Sequence, residues 1–295
     1  MSFSNEVKKE LLAMPVKMNC CRKAMLFGLL FNSEHLEGTR MRARFYTREM
    51  LELSHSLLGD TSAQISEGSH AGRRGYTLEF SSKSFSSFIF KISHGQTVVE
   101  AAKFRCEECR ACFARGLLVS LSTVNDPHKG YHLEIPLSAE NSDRIAALEG
   151  FFEEIGFPTK RVTRQSKIGI YLKSNTAIAD ILSYAGAMKA SFDVTNTFIE
   201  RDIRNNENRA TNLVAKNISK SVLATQKQIS AINKLIENGE LERLSSELID
   251  TALLRLENDD VSLAELALMH EPPISKSGLN HRLEKICAAA DDIEN

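Results

Sequence analysis

The stretch Val261-Ser-Leu-Ala-Glu-Leu-Ala-Leu-Met-His-Glu-Pro-Pro-Ile-Ser-Lys-Ser-Gly-Leu-Asn-His-Arg-Leu-Glu-Lys285 has the pattern of two short helices joined by a turn. Ser262 and Glu265 have the spacing of a capping box, in which the hydroxyl accepts a hydrogen bond from a backbone N–H of the first turn and the carboxylate accepts one from the N–H of the cap residue. Pro272 and Pro273 must end the first helix, because proline lacks an N–H and its ring clashes with the preceding turn. The stretch therefore predicts a helix-turn-helix, a motif whose second helix enters the major groove of DNA.

The second helix is predicted to begin at Ser275, since serine is a favourable N-cap residue. Its buried face consists of Leu279, Leu283 and Ile286, which recur at i, i+4 and i+7. The polar side chains left outside would contact double-stranded DNA. The expected base contacts are Ser275, Lys276, Ser277, Asn280 and His281, and the expected phosphate contacts are Arg282 and Lys285. A helical hairpin with a merely solvated polar face has the same pattern.

The composition is that of an ordinary globular protein, with 42 % hydrophobic and 25 % charged residues among 295. This length is enough for about two domains. The longest apolar run, residues 24–31, is too short to span a bilayer, and the N-terminus lacks the layout of a signal peptide. We therefore expect a cytoplasmic protein with no membrane partner and no small-molecule substrate, which the predicted DNA binding would associate with the nucleoid.

Charge is unevenly distributed along the chain, although the net charge is only −1. Residues 1–220 carry more basic than acidic side chains, whereas residues 221–295 carry twice as many acidic as basic ones. Neutralisation of phosphates by basic side chains provides most of the non-specific affinity for DNA. We therefore expect modest DNA affinity from the C-terminal region alone, with help from the basic region before it.

Residues 1–200 contain one pattern twice, at an offset of about 90 residues. Gly28 in the first copy corresponds to Gly116 in the second, and each lies in a predicted helix whose glycine allows another backbone to approach closely. The two copies, at about 1–95 and 96–200, would pack through these helices into one domain.

A polar segment follows this domain. Residues 201–220 are rich in Arg and Asn, and Asn205 and Asn206 lower the helix propensity, so we expect a linker. An all-α helix-turn-helix domain is then predicted at 221–295. Its first helix is expected to bury one stripe of side chains, namely Val222, Thr225, Ile229, Ile232 and Ile236.

Arginine alternates with apolar residues in the strand predicted at 39–46. Met41, Ala43 and Phe45 are expected to face the core, which leaves the arginines on the outer face. The candidate phosphate contacts are Arg40, Arg42 and Arg44 in this strand and Arg204 and Arg209 in the linker. A second basic cluster consists of Lys160, Arg161, Arg164 and Lys167. Ordinary solvated faces would show the same pattern.

Six cysteines are present, and in the cytoplasm they should be reduced thiols. The spacing Cys106-x-x-Cys109-x-x-Cys112 is compatible with a zinc site that also uses Cys20 and Cys21. It also fits small core residues at i, i+3 and i+6 of one helix beginning near Cys106. Because structural zinc sites usually combine two separated ligand pairs, and no histidine pair lies nearby, we expect core thiols, no metal and no other cofactor.

The tandem pattern resembles the LAGLIDADG homing endonucleases, in which two αββαββα halves meet through a pair of motif helices. The resemblance implies an α+β fold: a tandem αββαββα domain followed by an all-α helix-turn-helix domain. In those enzymes the last acidic residue of each motif helix binds the catalytic metal, and the corresponding positions here are Ser33 and Leu121. Neither side chain binds Mg²⁺ as a carboxylate does, so we expect no catalytic residues.

Nearly the whole chain resembles the WhiA family of bacterial proteins. The motifs that carry the resemblance are Ser2-Phe-Ser-Asn-Glu-Val-Lys-Lys-Glu-Leu11, Thr123-Val-Asn-Asp-Pro127, Gly130-Tyr-His-Leu-Glu-Ile135, Arg201-Asp-Ile-Arg-Asn205 and Ile274-Ser-Lys-Ser-Gly-Leu-Asn-His-Arg-Leu283. The family is described as a degenerate homing-endonuclease domain joined to a sigma-like helix-turn-helix. The resemblance implies DNA binding and a role in cell division, chromosome segregation and, in spore formers, sporulation.

Together these features predict a non-enzymatic DNA-binding protein that regulates transcription in cell division and sporulation. The expected partners are double-stranded DNA and other regulatory or division proteins. Two alternatives stay open: a protein–protein adaptor of the division machinery with incidental DNA affinity, and an active endonuclease. Specific DNA binding should fall steeply with salt, an adaptor should bind its partner without DNA, and a nuclease should cut DNA when Mg²⁺ is present.

Overall fold

The computed structural model of the chain describes residues 2–59, 62–70, 73–164 and 167–293. The chain divides into unit 1, Met1–Asp202, and unit 2, Ile203–Asn295. Within the described ranges, no helix combines the length and the apolar composition that a membrane-spanning segment requires.

Unit 1 contains the order helix–strand–strand–helix–strand–strand–helix twice, which confirms the predicted tandem αββαββα pattern. Helix α1 (Phe3–Ala13) precedes the first repeat, and α5 (Val98–Ala102) precedes the second. The first repeat consists of α2 (Asn19–Leu29), β1 (Glu34–His35), β2 (Arg40–Phe45), α3 (Arg48–Leu58), β3 (Gln64–His70), β4 (Arg73–Ser81) and α4 (Lys83–Ser93). The second consists of α6 (Glu108–Ser120), β5 (Thr123–Val124), β6 (Leu133–Ser138), a 3-10 helix (Ala139–Arg144), α7 (Ile145–Glu154), β7 (Lys160–Arg164), β8 (Lys167–Leu172) and α8 (Asn175–Ala185).

The strands of each repeat form an antiparallel sheet. The strand order is β1-β2-β4-β3 in the first repeat and β5-β6-β8-β7 in the second, so the two sheets share one topology. In β2 the predicted alternation is confirmed, since Met41, Ala43 and Phe45 are buried at 4 % exposure or less. Successive side chains of a strand point to opposite faces, so the intervening arginines lie on the other face of this sheet.

Helices α2 and α6, one from each repeat, pack against each other through two glycines. A Cβ added at Gly28 would lie 2.3 Å from the carbonyl oxygen of Phe113, and one added at Gly116 would lie 2.2 Å from that of Met25. The separation of these backbones is therefore possible only with glycine at both positions. Beside this contact, the rings of Phe31 and Phe113 meet edge to face at 5.8 Å. The predicted packing of the repeats through their glycine-containing helices is confirmed.

Unit 2 is helical, as predicted. Helix α9 (Met188–Glu237) contains the boundary between the units, and it is followed by a 3-10 helix (Leu241–Arg243), α10 (Ser246–Glu257), α11 (Leu263–Leu268) and α12 (Lys276–Asp292). Residues 201–220, predicted as a linker, lie within α9. Asn205 and Asn206 do not interrupt the helix, because each asparagine costs only about 0.7 kcal/mol of helix propensity relative to alanine.

The buried side of α9 in unit 2 differs from the predicted stripe. Ala231, Ile232 and Leu235 are buried, whereas Val222 and Ile236 are 48 % and 45 % exposed. Apolar residues occur on more than one face of this helix, and the face that packs against α10–α12 is the one that becomes buried. The prediction was therefore right for Ile232 and wrong for Val222 and Ile236.

Candidate nucleic-acid interface

Helices α11 and α12 form the predicted helix pair, and side-chain caps define where each helix begins. The hydroxyl of Ser262 accepts a hydrogen bond from the N–H of Glu265 at 3.3 Å, and the carboxylate of Glu265 accepts one from the N–H of Ser262 at 2.9 Å. This is the predicted capping box. The hydroxyl of Ser275 accepts the N–H of Gly278 at 3.1 Å, which confirms Ser275 as the N-cap of α12.

The predicted buried face of α12 is also confirmed. Leu279, Leu283 and Ile286 are each exposed by 1 % or less and share one hydrophobic core with Leu266 and Ala267 of α11. This packing orients α12, so the opposite side of the helix faces outward.

A buried arginine holds the segment that leads into α11. Arg255 is 1 % exposed, its Nη1 donates to the carbonyl oxygen of Val261 at 2.9 Å, and its Nη2 donates to the hydroxyl of Thr225. Burial lowers the pKa of Arg255, and its charge is compensated by these acceptors and, more weakly, by Asp259. The carbonyl bond fixes the chain one residue before the cap Ser262.

The predicted contact residues lie at the N-cap and in the first three turns of α12 but do not share one face. At about 100° per residue, Ser277, His281 and Lys285 lie opposite the buried stripe, and all three are exposed. Asn280 is half-buried at one edge of this outer face, and Arg282 is half-buried at the other edge. We call the exposed side of α12 that is centred on Ser277, His281 and Lys285 the outer face of α12.

Asn280 has a hydrogen-bond partner that sequence reasoning missed. Its Nδ2 donates to Oε1 of Glu284 at 2.8 Å. Bidentate pairing with adenine uses both atoms of the asparagine amide, so Glu284 competes with a base for this donor. The i, i+4 spacing of the two residues is the signal that could have indicated the pair.

Arg282, a predicted phosphate contact, forms an ion pair within unit 2. Its Nη2 lies 3.0 Å from Oε2 of Glu247 on α10, and the arginine side chain is 24 % exposed. This contact directs the guanidinium towards α10 and away from the outer face of α12. Lys285 has no such partner among the described residues and is the better placed of the two for a phosphate.

The arginines of β2 share two carboxylates from neighbouring strands. Nη2 of Arg42 lies 2.7 Å from Oε1 of Glu79, and Nη1 of Arg44 lies 2.6 Å from Oε1 of Glu34. Arg40 reaches the second oxygen of Glu79 at 3.3 Å. The hydrogen bond from Arg42 lowers the pKa of Glu79, so this carboxylate stays ionised. Much of the positive charge predicted on this face is therefore neutralised within unit 1.

The second basic cluster is also partly paired. Arg164 donates to both oxygens of Glu134 at 2.9 Å, and Arg161 pairs with Glu149. The other predicted basic residues are exposed, on the β7–β8 hairpin or on α9: Lys160, Lys167, Arg204 and Arg209.

The segment that follows α2, at the position that the homing-endonuclease resemblance aligns with a metal ligand, is held by a buried arginine of the second repeat. The hydroxyl of Ser33 donates to the carbonyl oxygen of Leu30 at 2.6 Å. Nη1 of Arg144 donates to the carbonyl oxygens of Phe31 and Ser33 at 2.7 and 2.9 Å. Burial lowers the pKa of Arg144 to about 10, so the guanidinium stays charged at neutral pH. Sequence reasoning missed Arg144, which lies in the second repeat and donates hydrogen bonds to the backbone of the first.

The cysteines are arranged differently from the prediction. Helix α6 begins at Glu108, so Cys106 lies in the turn before it and not within it. Cys106, Cys109 and Cys112 therefore do not form one helical stripe, and Cys106 instead meets thiols from the first repeat. Cys109 and Cys112 are buried in the core, at 0 % and 5 % exposure.

Comparisons with known proteins agree with this architecture. The model of the WhiA C-terminal HTH domain matches residues 208–290, and the model of the WhiA LAGLIDADG-like domain matches residues 110–204, so that together they cover more than half of the chain. The chain belongs to the WhiA family. The family resemblance that the sequence motifs indicated is thus confirmed.

Relatives named as WhiA cover between about two thirds and nearly all of this chain. A protein of Lachnospira eligens named "Probable cell division protein WhiA" is 29 % identical over 318 residues, which cover 99 % of this chain and 98 % of that protein. A Clostridium botulinum protein of the same name is 35 % identical over 189 residues, or 64 % of this chain and 59 % of that protein. The crystal structure of full-length DUF199/WhiA from Thermatoga maritima covers 99 % of both chains at 24 % identity with a TM-score of 0.57, which shows the same fold.

Proposed function

We propose that this WhiA-family chain is a DNA-binding regulatory protein that reads double-stranded DNA through α12. The observation that carries the proposal is the outer face of α12. Three polar side chains, Ser277, His281 and Lys285, project there from a helix whose start is capped and whose opposite side is locked into a core. A rigid helix with a polar outer face is what major-groove reading requires. The finer roles that we propose are transcriptional regulation in cell division, chromosome segregation and sporulation, in the cytoplasm at the nucleoid.

The contacts within unit 2 divide the predicted residues by role. Ser275 and Ser277, whose hydroxyl oxygens lie 3.1 Å apart, and Lys276 begin the helix and would approach the base edges first. Asn280 would read a base only after its amide exchanges Glu284 for that base. Lys285 would contact a phosphate, whereas Arg282 would position α12 through Glu247. Phosphate contacts outside unit 2, at the exposed lysines and arginines, would supply the rest of the affinity.

The proposal excludes strand cleavage. Metal-dependent cutting needs carboxylates from both repeats, and Ser33 and Leu121 occupy the corresponding positions. The buried charge of Arg144, 2.9 Å from the carbonyl oxygen of Ser33, further opposes a divalent cation there. Incubation of supercoiled DNA with the full chain and Mg²⁺ should leave the DNA intact, and nicking that depends on Mg²⁺ would contradict this part of the proposal.

The deciding experiment measures DNA binding by the full chain. A duplex is selected from a randomised library, and its Kd is measured for wild type, Asn280→Ala and His281→Ala at two salt concentrations. Each substitution should weaken binding to the selected duplex about 5- to 150-fold and leave binding to random duplex unchanged, because a base contact is worth about 1–3 kcal/mol. Lys285→Ala should make the salt dependence weaker, with the magnitude of the negative slope of log K against log salt reduced by about one. The control Lys227→Ala on α9 should leave this slope unchanged.

If both alanine variants bind the selected duplex as the wild type does, α12 is not the reading helix. If no duplex is enriched and the affinity does not depend on salt, the DNA-binding function itself is wrong.

A protein-binding adaptor is the second candidate, and one observation favours it. Helix α9 leaves several large apolar side chains exposed by 47–64 %, and such side chains in one element often mark a protein contact. They are Ile199, Ile203, Leu213, Val214, Ile218, Val222 and Leu223. An adaptor would bind its protein partner equally well before and after nuclease has digested the DNA in the sample. A DNA-binding regulator would lose its targets after that digestion.

A further inference from the structure

Four cysteine thiols meet at the N-terminal ends of α2 and α6. Cys20 and Cys21 lie in the first turn of α2, Cys109 lies in the first turn of α6, and Cys106 lies in the turn that precedes α6. Their four Sγ atoms all lie within 4.8 Å of one another. The Sγ of Cys106 is 3.7 Å from that of Cys20, 3.5 Å from that of Cys21 and 3.4 Å from that of Cys109. We call this group the four-cysteine cluster.

The spacing of the sulfurs around Cys106 suits one tetrahedral metal ion. Zinc binds thiolates at about 2.3 Å, and a tetrahedron with bonds of that length places its sulfurs about 3.8 Å apart. The separations from Cys106, at 3.4–3.7 Å, are already close to this value. In an iron–sulfur cluster the thiolates bind different iron atoms and so lie farther apart. The geometry therefore favours a mononuclear site.

The local chain also suits thiolate ligands. Cys106-Glu-Glu-Cys109 forms a turn closed by a hydrogen bond from the N–H of Cys109 to the carbonyl oxygen of Cys106 at 3.1 Å. The positive ends of two helices of ordinary length, α2 and α6, converge on the cluster, and a helix N-terminus stabilises a thiolate. Cys21 and Cys109 are buried, whereas Cys20 and Cys106 are partly exposed and leave a route for an ion from solvent.

We propose that Cys20, Cys21, Cys106 and Cys109 form a structural zinc site. The set consists of two ligand pairs separated in sequence, one from each repeat, which is the arrangement that structural zinc sites use. Four thiolates fill the coordination sphere, so the ion has no open position for a substrate or a water and its role is to tie α2 to α6. This reverses the expectation of core thiols for these residues, while Cys112, one turn further along α6, remains a core thiol.

The first experiment measures metal in the wild-type full chain. The protein is purified without chelator in reducing buffer, loaded with Zn²⁺, dialysed and analysed for metals. About one zinc per chain is expected, and replacement by Co²⁺ should produce the thiolate-to-metal charge-transfer and intense visible bands of a tetrahedral thiolate site. The proposal would be overturned if the folded chain retained no zinc and all of its cysteines reacted rapidly with a thiol reagent. Iron with acid-labile sulfide would also overturn it.

Substitutions assign the ligands. Cys20→Ser and Cys106→Ser change the partly exposed members of the cluster, and each should lower the retained zinc at least tenfold. The matched control is Cys287→Ser, a partly buried free cysteine of unit 2, which should keep the wild-type stoichiometry. Chelator should lower the Tm of the wild type and of Cys287→Ser but not that of Cys106→Ser. Full zinc content in both cluster variants would refute the assignment, and the wild-type measurement does not depend on whether the variants fold.

Discussion

Among single residues, His270 is a buried histidine within the helix-turn-helix. It lies between α11 and α12, is 8 % exposed, and its Nε2 has no hydrogen-bond partner among the described residues. Burial lowers the pKa of His270 from 6.5, the positive charge of Arg282 lowers it further, and Asp250 opposes these effects. The folded chain therefore binds this proton less readily than the unfolded chain does.

We predict that stability falls as the pH is lowered through the region just below 6.5. The unfolded chain gains the proton of His270 near pH 6.5, whereas the folded chain gains it only at the lowered pKa, so acid favours unfolding between these two values. Above pH 6.5 this residue contributes no pH dependence. Urea unfolding followed by circular dichroism at pH 7.5 and 5.5 should show a larger loss in the wild type than in His270→Gln. His281→Gln, at an exposed position, is the control and should behave as the wild type; equal losses in all three proteins would contradict the prediction.

The sequence predicts which residues face outward better than it predicts their partners. Arg40, Arg42 and Arg44 were expected on one face of a strand, and they are there. Glu34 and Glu79, which neutralise them, belong to β1 and β4, and β4 is brought beside β2 only by the sheet register that pairs Arg42 with Glu79. Such pairing depends on residues distant in sequence, for which a pattern of single residues contains no signal.

At the scale of elements, the contact between α2 and α6 predicts a sharp difference between two glycines. Gly28→Ala would place a Cβ 2.3 Å from a backbone oxygen, and neither helix can move without disturbing the core around Phe31 and Phe113. We expect a loss of about 3 kcal/mol in the free energy of unfolding, the upper part of the usual range for overpacking. Chemical denaturation of the full chain measures this loss.

The control for that substitution lies in α7. Gly150 is exposed, and a Cβ added there meets no atom within 4 Å. Gly150→Ala should stabilise the helix by about 0.5–1 kcal/mol, because alanine loses less backbone entropy on folding than glycine does. If Gly28→Ala and Gly150→Ala change stability by similar amounts, the close approach of α2 and α6 is not present in solution.

Helices with clear boundary signals were predicted more accurately than helices without them. For α12, the cap at Ser275 set the phase of the helix, and the buried positions Leu279 and Leu283 followed correctly. For α9 no cap or breaker lies near residue 221, and apolar residues occur on several faces. The choice of the buried face was then made by the tertiary contacts of Ile232 and Leu235, which the sequence does not show.

At the scale of the whole molecule, the tandem repeat made much of unit 1 predictable, because each copy supports the interpretation of the other. A zinc site that also uses Cys20 and Cys21 was weighed from the sequence but not favoured, because the four-cysteine cluster joins the two repeats. Its thiols come from two copies of the pattern. The spacing of Cys106, Cys109 and Cys112 within one copy instead favoured core residues on a helix that begins near Cys106. The helix begins at Glu108, which leaves Cys106 in the preceding turn, beside the thiols of the first repeat.

One segment of α9, residues 202–224, belongs to neither hydrophobic core. Side chains 202–224 are all exposed, so this part of the helix lacks the tertiary packing that usually stabilises helices in water. It should therefore open locally more often than the packed helices, and the proposed division into domains 1–200 and 221–295 predicts that both products remain folded. Limited digestion of the full chain with trypsin should cut first after Arg204, Arg209 or Lys216, as mass spectrometry of the fragments would show. A glutamate-specific protease should also cut first in this segment, at Glu207, which separates local opening from a preference for basic residues. If both proteases leave α9 intact while they cut elsewhere, a contact protects the segment, and the adaptor function gains support over independent domains.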